Sequence, residues 1–393
     1  MQSTVLFVEP EGEILKKLPQ LHDHWQSIRV NTVEAALDIL GQRNVAVVVA
    51  NFGMADDACQ EFFRAVSAKA SSAIQFVLLA DNQANEIDKD LDYAHQSIAA
   101  QCQPNDIIKA INTGLSVWQR TQDNPQLAGL LNKLNKLPTP PALYFDLRDE
   151  LDSPNYNTQN VANIIARDQA LSARVLKVVN SGFYAVPRSI VDLGQAIGLL
   201  GTDIVLGLVL SAHLFDSLPL PGVNLDDLWK HNLMVSALTR TIAKELGADF
   251  ETINTSGVAG LLHDLGGLVL LSNLPAEYHS LIRQANGDEN LLIALEQKEF
   301  GVAHPELGAI VMAMWNMPDA LVAAVAVHHQ AFEQAQSIPE KALLIAEWVV
   351  NEFALCKGVY DENLPHGFQS KELVKGLEGW WAMCTELAEP VSA

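Results

Sequence analysis

The chain has 393 residues, 49% of them hydrophobic and 18% charged, enough for two or three packed domains and too apolar for a disordered chain. The formal net charge is −22, divided as −6 over residues 1–120 and −16 over the rest, a field that repels nucleic acid and anionic membranes as general partners. Cys59, Cys102, Cys356 and Cys384 form no CxxC pair, and no basic segment precedes the first apolar run, so reduced thiols and a cytoplasmic location are expected.

In chain order, residues 5–8 read as a strand, 12–18 as a helix stopped by Pro19, 28–31 as a short strand and 32–40 as a helix. Residues 45–50 and 74–80 are continuous apolar runs, the pattern of strands covered on both faces, and 104–118 closes with a helix. Strands alternating with helices predict an α/β, doubly wound parallel sheet for residues 1–120.

This order and length resemble the receiver domain of bacterial response regulators, over roughly residues 3–118. The family places acidic residues after the first strand and a phosphoacceptor aspartate at the end of the third. Here Glu9 and Pro10 follow the first strand, and Asn51 stands at the phosphoacceptor position. Ala80 and Asp81 end the fourth strand where a Ser or Thr is usual, and residues 97–103 hold no lysine. An amide accepts no phosphoryl group, so the resemblance implies a receiver that is not phosphorylated by the usual route and serves docking or homodimerisation. Asp56 and Asp57 are the alternative acceptors, too far along the following loop for the family's geometry.

Residues 119–126 are polar and mark a linker edge, and residues 121–136 read as a helical junction. Pro138, Pro140 and Pro141 set an extended turn before a helix starting near Leu143. Residues 158–179 are helical by period, divided at Asp168, which caps the second part. Asn180 and Ser181 read as cap and turn residues, with Gly182 suited to a left-handed position. Helices follow over 192–200 and 203–215; the apolar run 196–214 is the nearest approach to a membrane span, and Asp203 and His213 make it a buried helix instead. Arg167, Arg174, Lys177 and Arg188 lie close in sequence and read as a solvated face rather than an anion site.

The segments LPTPPAL, DQALSARVLKVVNSGFY and AIGLLG, in this order, resemble the HDOD family, an output module related to the HD phosphohydrolases. The resemblance covers roughly residues 130–350. It implies an all-α HD-type bundle over 137–353, divided into a helical block at 137–225 and an HD-like bundle at 226–353, with 354–393 as an extension. It also implies action by protein–protein contact on a kinase, a cyclase or a phosphodiesterase.

Residues 256–271, SGVAGLLHDLGGLVLL, carry His263 and Asp264 inside an apolar run, where an unpaired charge would be costly. Their candidate partners are His231, opening a helix near Trp229, His304 in GVAHPELG, His328 and His329 after the apolar helix 321–327, and Glu347 on a helix over 341–353. Imidazoles and carboxylates together suit iron, manganese or zinc, and a helical bundle can direct one ligand from each of several helices. A metal held there would acidify a water for attack on a phosphoester.

The HD relatives use a His, the HD doublet and a later Asp. The resemblance thus implies that His231, His263, Asp264 and Glu347 hold one metal, with His304, His328 and His329 added in binuclear relatives. Gly267 stands where the phosphodiesterase relatives keep a lysine, and QAFEQAQS replaces their loop after the paired histidines. If the site is active, Asp264 and His263 are its catalytic pair. Three functions stay open: a signalling regulator acting by contact, a metal-dependent phosphohydrolase of a nucleotide or cyclic dinucleotide, and a metal-bound sensor. Residues 371–387 read as an amphipathic helix whose Trp380 and Trp381 form a packing seam or a partner contact.

Overall fold

The computed structural model describes residues 3–9, 25–51, 57–70, 72–79, 96–99, 104–134, 138, 140–151, 153–181, 188–217, 220, 222–358 and 371–388. The expected helix at 12–18, Asp56, residues 80–81 and Gly182 lie outside the described residues.

The chain opens with β1 (Ser3–Val8), β2 (Trp25–Val30), α1 (Val33–Gln42), β3 (Val47–Ala50), α2 (Asp57–Lys69), β4 (Ile74–Leu79) and β5 (Gln96–Ala99). All strand pairs are parallel, in the order β2-β1-β3-β4-β5. This is a doubly wound order with its switch point between β1 and β3. β1 and β3 are buried almost throughout, which is why their sequences do not alternate. Leu6, Val8, Val48 and Ala50 pack with Ala36 and Leu40 of α1 and with Phe62, Phe63 and Val66 of α2. Thr32 caps α1 by accepting from Ala35 N at 3.2 Å. β2 starts at Trp25, earlier than residue 28, because the Trp25 ring packs 5.9 Å from Phe7 and pairing with β1 begins at Ser3; polar Gln26 and Ser27 hide this in the sequence.

Helices α3 (Pro104–Asp123), α4 (Pro125–Lys133), α5 (Ala142–Leu151), α6 (Thr158–Ile165), α7 (Gln169–Val179), α8 (Leu193–Leu200), α9 (Thr202–Ser217), α10 (Leu225–Glu245) and α11 (Phe250–Leu262) follow. Then come α12 (Leu265–Asn273), α13 (Pro275–Ala285), α14 (Glu289–Phe300), α15 (His304–Met314), α16 (Asp319–Val327), α17 (Ile338–Leu355) and α18 (Lys371–Ala388). Asp168 and Asp192 cap α7 and α8, accepting from Leu171 N at 3.0 Å and Gln195 N at 2.7 Å. Asn180 pairs with the backbone of Ile190 in both directions, at 2.6 and 2.7 Å, a structural clamp on the turn. The apolar run at 196–214 is broken at Gly201 (φ 84°), where α8 and the next helix meet at 106°. α10 begins at Leu225 rather than Trp229, because Asn224 caps it by accepting from Asp226 N at 3.1 Å and Asp226 and Asp227 suit a first turn.

The chain divides into two compact units, Met1–Thr139 with Gly266–Met317, and Pro140–Leu265 with Pro318–Ala393. In the first, α3 runs past 118 to Asp123, so the polar stretch 119–126 is helical on both sides of Asn124. Asn124 caps α4 by accepting from Leu127 N at 2.9 Å, and its Nδ2 donates to the Gly301 carbonyl at 2.5 Å. Gln126 Nε2 donates to the Lys298 carbonyl at 3.1 Å, Trp315 Nε1 to the Pro138 carbonyl at 2.9 Å, and Arg120 pairs with Glu306. These bonds fasten the junction segment to α14 and α15.

In the second unit α17 packs against α10, α11 and α16, and α18 lies on α10 and α17. Trp380 and Trp381 are buried, donating to Glu245 Oε2 at 2.9 Å and the Gly358 carbonyl at 3.1 Å, so the pair is a packing seam.

Candidate metal centre

The centre is assembled in the second unit where α10, α11, α16 and α17 converge. α10 and α11 approach closely because residue 260 has no side chain: a Cβ there would lie 2.8 Å from Ser236 Cα and 2.9 Å from Thr239 Oγ1. Ser236 Oγ strengthens the crossing by donating to the Gly257 carbonyl at 2.7 Å. His231 lies in the second turn of α10, His263 and Asp264 follow the end of α11, and Glu347 lies in the middle of α17.

Their ligand atoms converge. His263 Nε2 lies 3.2 Å from His231 Nε2, 3.2 Å from Asp264 Oδ2 and 3.1 Å from Glu347 Oε2. His231 Nε2 lies 3.4 Å from Glu347 Oε2 and 3.7 Å from Asp264 Oδ2. His263 is fully buried and Glu347 nearly so, whereas the side chains of His231 and Asp264 are 24% and 27% exposed, so the centre opens to solvent on one side. His328, the residue after α16, stands edge-on to His263 at 5.2 Å between ring centroids, and His329 lies 4.3 Å from His328.

The helix backbone sets the tautomers. His263 Nδ1–H donates to the Gly260 carbonyl at 2.8 Å and His328 Nδ1–H to the Val325 carbonyl at 2.7 Å. In the neutral rings Nε2 is therefore the lone-pair nitrogen, the form a metal needs. Without a cation, protons do the balancing. Burial opposes charge on both His231 and His263. Glu347 nonetheless raises His231, and Asp264 with Glu347 holds His263 well above the usual imidazole range. Burial likewise opposes the charged carboxylates, yet His263 draws Asp264 far below its ordinary range, and His263 with His231 draws Glu347 well below.

The donor set fits a divalent metal. Metal–ligand lengths of about 2.0–2.2 Å put neighbouring ligand atoms about 2.8–3.6 Å apart. The separations of 3.1 to 3.7 Å here fall close to that window. Glu347 Oε2 is enclosed, and no N–H is aligned on it. A buried carboxylate oxygen aimed at two imidazole nitrogens is what a cation would satisfy.

His304 belongs to the other unit and is held by its own surroundings there. It does not cap α15: its Nδ1 faces both oxygens of Glu296 at 2.9 and 3.0 Å, and its backbone N–H donates to Glu296 Oε2 at 2.8 Å. Tyr278 Oη donates to Glu296 Oε1 at 2.8 Å, so a wholly buried carboxylate is satisfied by three groups. Sequence reasoning missed Glu296 and Tyr278, since nothing in the spacing of α13 and α14 distinguishes them from surface residues.

At the carboxyl ends of β1 and β3, Asn51 Nδ2 donates to Glu9 Oε1 at 3.2 Å. Of the basic residues considered as an anion site, Arg167 pairs with Asp146 at 3.1 Å in solvent, and Arg174 donates to the Ala212 carbonyl at 3.3 Å.

Comparison with known proteins places these elements. Residues 137–331 match the HDOD domain model. A crystal structure of an HDOD domain protein from Geobacter sulfurreducens is 23% identical, covers 67% of this chain and 88% of its own, and superposes with a TM-score of 0.50. A structure named as a phosphohydrolase from Shewanella amazonensis is 22% identical, covers 67% of this chain and 99% of its own, with a TM-score of 0.49. An uncharacterised protein of Treponema pallidum (strain Nichols) is 24% identical over 211 residues, 53% of this chain. The chain spans 41% of the length of that relative. Residues 137–331, which carry His231, His263, Asp264 and His328, are thus an HDOD domain, and Glu347 on α17 lies beyond the matched residues.

Proposed function

We propose that this chain is a signal-transduction regulator whose HDOD domain holds a divalent metal and acts through protein contact. The observation that supports it is the convergence of His231, His263, Asp264 and Glu347 on one point. Iron, manganese and zinc all suit two imidazoles and two carboxylates. Such an ion would join α10, α11 and α17, so that its occupancy sets the shape offered to a kinase, cyclase or phosphodiesterase partner. Gly267 in place of a lysine and the sequence QAFEQAQS after the paired histidines favour contact over turnover.

Metal analysis of protein purified without chelator tests the reading. About one equivalent or more of iron, manganese or zinc is expected, with no hydrolysis of bis(p-nitrophenyl) phosphate or cyclic di-GMP. A metal-free protein that takes up none on titration would sink it.

The N-terminal sheet is read as a receiver-like domain without its switch. In support, Asn51 directly follows β3 and its amide donates to Glu9 Oε1 at the end of β1. Incubation with radiolabelled acetyl phosphate should leave the chain unlabelled. Stable label lost on substitution of Asp56 or Asp57 would show an alternative acceptor.

A metal-dependent phosphohydrolase is the second reading, favoured by the exposure of His231 and Asp264, which leaves the centre open to a substrate. A bound divalent ion supplies Lewis-acid polarisation and an acidified water. Metal-dependent turnover abolished by Asp264→Ala would put this reading first.

A further inference from the structure

Glu347 reaches the imidazoles with a side chain one methylene longer than the aspartate that HD relatives use at this place. The added rotatable bond lets a glutamate carboxylate swing and present either oxygen, so aiming one oxygen at an ion calls for a second contact. Asn351 provides it. One turn further along α17, its Nδ2 donates to Glu347 Oε1 at 2.8 Å. Oε2 is then the oxygen that lies 3.1 Å from His263 Nε2 and 3.4 Å from His231 Nε2, enclosed and with no N–H aligned on it. On a solvated helix face an i, i+4 pair of this kind is a minor contact. Here it divides the two oxygens of a buried carboxylate between two tasks.

Resting on the metal-centre reading, we propose that Asn351 is a positioning residue for the metal: by holding Oε1, it offers Oε2 to the ion in a fixed direction. The pairing makes a glutamate serve where the shorter aspartate would project less far from α17. His263 and His328 are aimed in the same manner by the carbonyls of Gly260 and Val325. Those two contacts come from backbone and survive any side-chain change, whereas the Asn351 contact can be removed by one substitution. Partners of this kind around ligating side chains are worth roughly 10- to 100-fold in metal affinity.

The test is a double-mutant cycle on the full-length chain with Co²⁺ as the probe. Wild type, Asn351→Ala, Glu347→Asp and the double variant are titrated by competition against a chelating dye, and the visible ligand-field bands are recorded. Asn351→Ala should weaken Co²⁺ binding roughly 10- to 100-fold and shift those bands. In the Glu347→Asp background the same substitution should change affinity less than about twofold, because the shorter carboxylate leaves Asn351 with no oxygen to hold. Equal losses in the two backgrounds would mark Asn351 as a helix-stability residue and overturn the proposal, as would wild-type affinity and spectrum in Asn351→Ala. A wild-type chain that binds no Co²⁺ would overturn the metal-centre reading itself, and this one with it.

Discussion

Replacing His263 with alanine is expected to abolish stoichiometric metal uptake and to destabilise the metal-free chain by about 3–5 kcal/mol. His263 is fully buried, with Asp264 Oδ2 and Glu347 Oε2 at 3.2 and 3.1 Å. Its removal leaves two carboxylates facing each other, with His231 alone left of the two imidazoles that balanced them. An uncompensated buried charge is far costlier than a missing contact. Much of the loss should therefore return when Glu347→Gln is added, since the double variant removes the charge that lost its partner. Urea unfolding with chelator present measures both effects, and elemental analysis measures the metal. For the wild type, metal at 100 times its dissociation constant should add about 2.7 kcal/mol, an increment absent from the variant. A double variant as unstable as the single one would show that the loss comes from packing and not from charge.

Gly266→Ala should be the most damaging small substitution in the first unit, costing about 3 kcal/mol or more. A Cβ at 266 would run into the His304 carbonyl oxygen and lie 2.7 Å from Gly308 N and 2.9 Å from His304 C. These are backbone atoms of α15, so relief requires α12 and α15 to separate. Gly267→Ala is the control. Its Cβ would meet the Tyr278 hydroxyl at 3.2 Å, a contact relieved by a shift of a few tenths of an ångström that leaves the bond to Glu296 in place, and a cost near or below about 1 kcal/mol is expected. Denaturant midpoints of the two variants decide the matter; equal midpoints would remove the close-approach argument. The two glycines after Leu265 thus differ: a Cβ at Gly266 meets the backbone of α15, whereas one at Gly267 meets only a side-chain hydroxyl.

Much of the molecule is legible before folding is considered. The β-branched run that became β3, the cap Asp168 and the break at Gly201 depend on a residue and its neighbours within a few positions. Such interactions are encoded by periodicity and by side chains that bond the nearest backbone. The ligand types of the centre were legible for a related reason: His and Asp inside an apolar run must find partners.

Other features were decided by packing. The Asn51 bond to Glu9 spans 42 positions and the Asn124 bond to Gly301 spans 177, and neither leaves a local trace. The polar residues of the junction look solvated in sequence because their carbonyl partners are supplied by α14. Glu296 looks like any surface glutamate until His304 and Tyr278 close around it.

Composition and short-range spacing set which residues can form strands, caps and candidate metal ligands. The tertiary structure alone decided which oxygen of Glu347 faces the imidazoles, and that α10 and α11 approach closely enough at Gly260 to bring His231 within 3.2 Å of His263. A coordination site depends on differences of a few tenths of an ångström, and only the complete packing of several helices sets distances that finely.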